Sequence, residues 1–130
     1  MSTNCCGKGD VLLLACSGGS NVGQITNDAA KVLDQTGQGS MYCMIGIAAQ
    51  LPSFVERAKK EGTTVVGIDG CGVACVKKAL ANIGVIPSVY VVATELGVEK
   101  GHHFNHTQAE VDQTCKAVVD ALNDDGCCCK

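Results

Sequence analysis

Ten of the 130 residues are cysteines: Cys5, Cys6, Cys16, Cys43, Cys71, Cys75, Cys115, Cys127, Cys128 and Cys129. As thiolates they can bind soft metal ions, exchange with disulfides or persulfides, or attack electrophiles. The compartment helps decide among these. Residues 1–8 lack the apolar stretch of a secretory signal, and the apolar run at 11–15 is far too short to cross a membrane. The expected location is therefore the cytoplasm, with no membrane partner. Thiols stay reduced there, so the cysteine excess points to metal or sulfur chemistry more than to a disulfide framework.

The rest of the composition agrees. With 46% hydrophobic residues the chain can fill a core without covalent staples. Aromatics make up only 3% and tryptophan is absent, so that core is built from Val, Ile, Leu and Ala. Such residues suit strands buried on both faces. The net charge is −3, and Arg57 is the sole arginine. Nucleic acid is not an expected partner, because neutralising phosphates needs a basic patch.

The elements that must position the cysteines follow from periodicity. Strands are expected at 11–15, 63–68 and 88–93, with another apolar run at 41–47 that reads as a strand but could also open a helix. Helices are expected at 22–35, 53–61, 73–83 and 110–122. Pro52 opens the second of these, and Gly62 and Gly84 close the second and third. Thr107 and Glu110 form a capping box for the last. Alternation of this kind implies a parallel sheet with right-handed crossovers and helices on both faces. All strands then exit at one edge, where sites form.

Cys16 lies just past the first strand and Cys71 just past the third. Cys75 lies one helical turn beyond Cys71, on the same side of an expected helix start. Cys43 sits in the ambiguous second run, near its exit if that run is a strand. Three or four thiols thus reach one edge. A helix N-terminus at Cys71 and the Gly-rich loop CSGGSNVG after Cys16 would supply N–H groups that favour thiolates. Four thiolates in tetrahedral array suit zinc or an iron centre. Cys115 falls on the apolar side of the last helix and reads as core.

Competing chemistries fit less well. A cysteine followed by a tight loop and a helix is the layout of low-molecular-weight phosphatases and arsenate reductases, but the loop after Cys16, residues 17–23, holds no arginine to bind an oxyanion. The loop also lacks the lysine and hydroxyl of a nucleotide-binding P-loop, although a small anion could rest on its N–H groups. Cys71 and Cys75 are spaced CxxxC, not the CxxC of thioredoxin-like sites. Thiol redox or sulfur-carrier chemistry and an iron–sulfur cluster remain as alternatives. No positioned acid, base or oxyanion group accompanies the thiols, which favours a metal-handling factor over a self-sufficient enzyme.

Several residues are candidates for accessory roles. Cys5 and Cys6 near the start, with Cys127, Cys128 and Cys129 at the end, could collect a metal or persulfide and pass it inward. His102, His103 and His106 follow the last strand, and His103 is the candidate to reach the site. Asp69 could orient a ligand from behind or, as the stronger expectation, cap the helix that follows.

At these residues the chain resembles the DGC-domain family. The segment IDGCGVACVKKAL at 68–80 carries the motif that names the family. CCGKGD at 5–10, VLLLACSGGSNVGQITNDAAKVL at 11–33, MYCMIGIAA at 41–49 and LGVEKG at 96–101 are also similar to its members. The resemblance implies zinc binding by four cysteines, carried here onto Cys16, Cys43, Cys71 and Cys75. The triple-cysteine tail and the GHHFNH loop fall outside it.

The expected architecture is a three-layer α/β/α domain at 11–125 around a mostly parallel four-stranded sheet, Rossmann-like or flavodoxin-like. A cysteine-containing leader at 1–10 precedes it and a cysteine tail at 126–130 follows. The expected cofactor and partner is a metal ion, zinc above others. The sequence points to no protein partner.

Overall fold

The computed structural model describes residues 10–124. Residues 1–9 of the expected leader and the whole of the expected tail, with Cys5, Cys6 and Cys127 to Cys129, lie outside the described residues, and Asp10 belongs to the first strand. Four strands, β1 (Asp10–Ala15), β2 (Ser40–Met41), β3 (Thr63–Asp69) and β4 (Val89–Val92), form one sheet in the order β2-β1-β3-β4, with every pairing parallel. The helices are α1 (Asn21–Gln35), α2 (Met44–Ala48), α3 (Pro52–Lys59), α4 (Cys75–Asn82) and α5 (Gln108–Asp124).

The sheet is buried on both faces because its residues alternate between two cores. Val11, Leu13 and Ala15 of β1 join Val66, Ile68, Val89 and Val91 against α1 and α5. Leu12 and Leu14 turn the other way with Val65, against Ile47, Ala58, Val76 and Leu80 from α2, α3 and α4. A strand's side-chain period of two makes both faces apolar at once, and parallel strands need helices on each. The result is the expected three-layer α/β/α arrangement.

Helix boundaries follow from local chemistry. The Ser20 hydroxyl accepts a bond from the Gly23 amide at 3.1 Å and caps α1. Pro52 is the first residue of α3, where its missing N–H costs nothing. The capping box is formed: the Thr107 amide donates to Glu110 at 2.9 Å, and the Glu110 amide donates to the Thr107 hydroxyl at 3.2 Å.

Two local expectations require correction. The run at 41–47 is not a strand: only Ser40 and Met41 pair with β1, and α2 begins at Met44. A helix lets consecutive Gly46 and Ile47 both turn inward while Ile45 faces out, which strand alternation forbids. Helix α4 begins at Cys75, not at residue 73, because Ala74 adopts the left-handed conformation at φ 60° and breaks the run. That conformation costs a non-glycine residue about 1 kcal/mol.

Topology then defines a special place. From β1 the chain runs through α1 on one face to β2, and from β2 through α2 and α3 on the opposite face to β3. The carboxyl ends of β1 and β3 therefore diverge into connections on opposite faces. Such switch points are where open α/β sheets bind ligands.

Candidate functional site

Cys16 and Cys71 flank this switch point. Cys16 is the first residue past β1, and its backbone is held on both sides. Its amide donates to Ile68 at 2.9 Å, and its carbonyl accepts the buried Thr26 hydroxyl at 2.7 Å. The half-buried sulfur is thus set by the strand and not by a loose loop. Burial pushes the Cys16 thiol above its ordinary pKa. Negative charge on Asp69 and Cys75 adds to this, while the Gly18 and Gly70 amides pull it down. Cys75 opens α4, and Cys16 packs against the core that Val76 and Leu80 of that helix help to form.

A raised thiol pKa has a definite sign. The fold favours the neutral form, so Cys16 contributes stability below its unfolded pKa, and that contribution is lost as pH rises from there toward the folded value. In metal-free protein at about pH 8, near the unperturbed thiol value, iodoacetamide should therefore label Cys16 more slowly than exposed Cys43. Peptide mass spectrometry reads the two rates, and fastest labelling at Cys16 would contradict this assignment.

Cys71 leaves β3 after Asp69 and Gly70. Its carbonyl accepts the Ala74 amide at 3.1 Å, closing a tight turn before α4. The expectation that Cys71 sits on a helix start is thus corrected: Cys75 is the first helical residue, and left-handed Ala74 separates the two. The shared-side argument from helical spacing fails for the same reason. The Cys71 sulfur packs against the α1–α5 core, whereas Cys16 packs against the α2–α4 core. Lys100 reaches the Cys71 sulfur, Nζ to Sγ 3.3 Å.

Cys43 is the N-cap of α2, its sulfur accepting the Gly46 amide at 3.4 Å. It lies just past β2, at the same sheet edge, and α2 packs against α4, which begins at Cys75. All four cysteines therefore lie in segments that follow strands at the carboxyl edge, where three or four were expected. Their side chains are not gathered: among the described residues, no three His, Cys, Asp or Glu side chains are grouped to hold a metal ion. Thiolates are donors of the kind zinc takes, but these four are not placed as a site. Coordination requires the side chains to converge, with Cys71 turning from one face of the sheet toward the other.

Asp69 is the anchor of this edge. It is 1% exposed. Its carboxylate accepts the Val76 amide at 2.9 Å, the Lys77 amide at 3.1 Å and the Tyr90 hydroxyl at 2.6 Å. It caps α4 across the Cys71–Cys75 turn, as the sequence led one to expect. Tyr90, which sequence reasoning did not single out, completes the cap. Burial, followed by its bond to Asp69, raises the Tyr90 hydroxyl pKa, so it stays protonated as a donor.

Close packing seats the two thiol-bearing turns on each other. A Cβ on Gly70 would lie 2.9 Å from the Val22 carbonyl carbon and 3.0 Å from the Gly23 amide nitrogen. Both obstacles are backbone and cannot rotate away. Gly70→Ala should lower unfolding stability by about 1–3 kcal/mol, in the range for overpacking, as read by urea denaturation. An unchanged midpoint would show that the turns are not in contact.

Part of the donor set of the Gly-rich loop is spent inside the protein. The Asn21 amide donates to Gly101 at 3.1 Å, and the Gly23 amide donates to Ser20. The histidines spread over the last loop. His106 Nε2 pairs with Asp28 at 2.8 Å, holding the loop to α1. His103 is exposed and its Nδ1 accepts the Asn105 amide at 3.1 Å. Cys115 is buried, and its thiol donates to the Ala29 carbonyl at 3.5 Å. Among the described residues no helix is long and apolar enough to cross a membrane.

A parallel α/β domain with these cysteines at its switch point and the IDGCGVAC turn defines a class. Residues 12–118 match the model of the DGC domain, and the chain belongs to the DGC-domain family. It is 39% identical over 89 residues to a protein of Pseudomonas aeruginosa described as anaerobic and virulence modulator AnvM, covering 68% of this chain and 67% of that one. No solved structure matches the chain.

Proposed function

We propose that this protein binds a soft metal ion, zinc above others, through cysteine thiolates at the switch point, and that it senses or hands on that ion. The observation that carries the proposal is the position of four cysteines, Cys16, Cys43, Cys71 and Cys75, at the exits of three adjacent parallel strands and the first residue of α4. Cys16 and Cys75 would form the nucleus, Cys71 would close from the far face, and Cys43 would be the fourth donor. When bound, zinc would cross-link the β1, β2 and β3 exits to α4 without redox chemistry of its own. Asp69 and Tyr90 hold the turn in which two of the donors lie. The cytoplasm is the fitting compartment, since the donors must be reduced.

Cobalt(II) titration of the metal-free full chain tests this. The expected result is an intense thiolate-to-cobalt absorption with tetrahedral visible bands, weakened in each of Cys16→Ser, Cys71→Ser and Cys75→Ser. A pale octahedral spectrum that none of these variants alters would overturn the proposal. Cys43→Ser tests the fourth ligand separately: unchanged metal content would remove Cys43 from the set.

A second reading, an oxidation-responsive thiol protein, is favoured by the Lys100 contact on Cys71. The word anaerobic in the relative's description is compatible with it.

A further inference from the structure

At this edge Lys100 Nζ makes a solvent-exposed contact with the Cys71 sulfur, and the backbone that carries each residue is held. The segment carrying Lys100 is clamped on both sides by Asn21, a polar residue 3% exposed at the start of α1. The Asn21 side-chain amide donates to the Glu99 carbonyl at 2.8 Å, and its oxygen accepts the Gly101 amide at 2.7 Å. Its backbone amide donates to the Gly101 carbonyl at 3.1 Å. Both neighbours of Lys100 are thus fixed, and the Lys100 side chain extends from a held backbone. Opposite it, the Thr94 amide donates to the Gly70 carbonyl at 3.1 Å and holds the approach to Cys71. Two anchored backbones bring Nζ to 3.3 Å from Sγ. Among the described residues, Lys100 is the side chain that makes a hydrogen-bond contact with the Cys71 sulfur.

We propose that Cys71 and Lys100 form a reversible covalent sulfur–nitrogen cross-link when the protein meets a hydroperoxide. In the first step the Cys71 thiolate attacks one peroxide oxygen. The S–O bond forms and the O–O bond breaks; with hydrogen peroxide the departing oxygen leaves as hydroxide, which takes a proton from solvent and becomes water. Sulfur is oxidised by two electrons to the sulfenic acid, and the peroxide is reduced. In the second step Nζ, having given one proton to solvent, attacks the sulfur. The S–N bond forms, the S–O bond breaks, and the hydroxyl leaves as a second water with a proton from the nitrogen. Sulfenic acids condense with a backbone nitrogen to a sulfenamide in this way, and here the lysine amine takes that nitrogen's place. One peroxide is consumed per cross-link, and a dithiol restores the thiol and the amine. The cross-link stands without the proposed metal site. Its consequence for metal binding, the removal of Cys71 from the donor set, rests on that reading.

The test oxidises the chelator-treated full chain with hydrogen peroxide, blocks free thiols, digests the protein and maps cross-links by mass spectrometry. Lys100→Arg is the control: it keeps the positive charge but lacks a competent nucleophile. The expected result is a Cys71–Lys100 peptide pair that has lost two hydrogens, carries no added oxygen and disappears with dithiothreitol. In the Lys100→Arg variant Cys71 should instead pass on to the sulfinic acid. A disulfide from Cys71 to Cys16 or Cys75, equal sulfinic acid in both proteins, or a cross-link retaining oxygen would each overturn the proposed step. Zinc content measured before chelation keeps the two readings apart: a cross-link in a chain that binds no zinc upholds this inference and fails the other.

Discussion

Replacing Cys71 with serine should weaken zinc binding by more than about 100-fold, beyond the loss expected from removing a residue that only orients a ligand. A serine hydroxyl does not ionise at neutral pH and is a hard donor, so the site would lose a charge and its soft character together. Competition with a chromophoric chelator measures the affinity. The same change should abolish the thermal stabilisation that zinc gives, which amounts to about 2.7 kcal/mol when the free ion is at 100 times its dissociation constant. Cys115→Ala is the matched control. Its sulfur lies in the α1–α5 core, so it should leave zinc affinity untouched while lowering stability modestly. Equal zinc affinity in wild type and Cys71→Ser would remove Cys71 from the site. Its present position argues for slow uptake: Cys71 must leave Lys100 and its own core before it can meet Cys16 and Cys75.

Asp69→Ala should be the most damaging single change outside the cysteines. It would leave the Val76 and Lys77 amides and the Tyr90 hydroxyl without their acceptor. A buried donor stripped of its partner costs about 1–3 kcal/mol, and more when the lost partner is charged. With three donors affected, a loss of roughly 3–5 kcal/mol is expected for a buried network broken from one side. Urea unfolding followed by circular dichroism reads it. Tyr90→Phe removes a single donor and should cost about 1.5–3 kcal/mol, the range for a bond to a charged group. If Asp69→Ala unfolds the chain outright, Tyr90→Phe still decides the matter. A stability loss below about 0.5 kcal/mol, the level of an inert surface change, would show that the cap does not hold the Cys71–Cys75 turn.

The fold was legible because both of its signals are periodic. Apolar runs at 11–15 and 63–68 with amphipathic helices between them left little besides a parallel sheet, and alternation of Leu12 and Leu14 against Val11 and Leu13 filled both faces. The edge carrying the cysteines followed from the same order. Side-chain direction was less legible. The left-handed turn at Ala74 depends on how α4 seats on β3, and no local residue announces it. It overturned the helical spacing of Cys71 and Cys75. The helix at α2 hid behind an apolar run that suits either state, and packing of Gly46 and Ile47 decided it. Lys100 and Tyr90 were missed because their partners lie 29 and 21 residues away. One usable signal existed for Asp69: an acid seven residues before the Val76 amide it caps, at the end of a strand.

The most direct test is metal analysis of the full chain purified without oxygen, combined with its visible spectrum. The account predicts about one zinc per chain, a colourless protein, and loss of the metal on thiol alkylation. A brown protein containing iron and sulfide, or a metal-free protein that takes up no zinc, would contradict it.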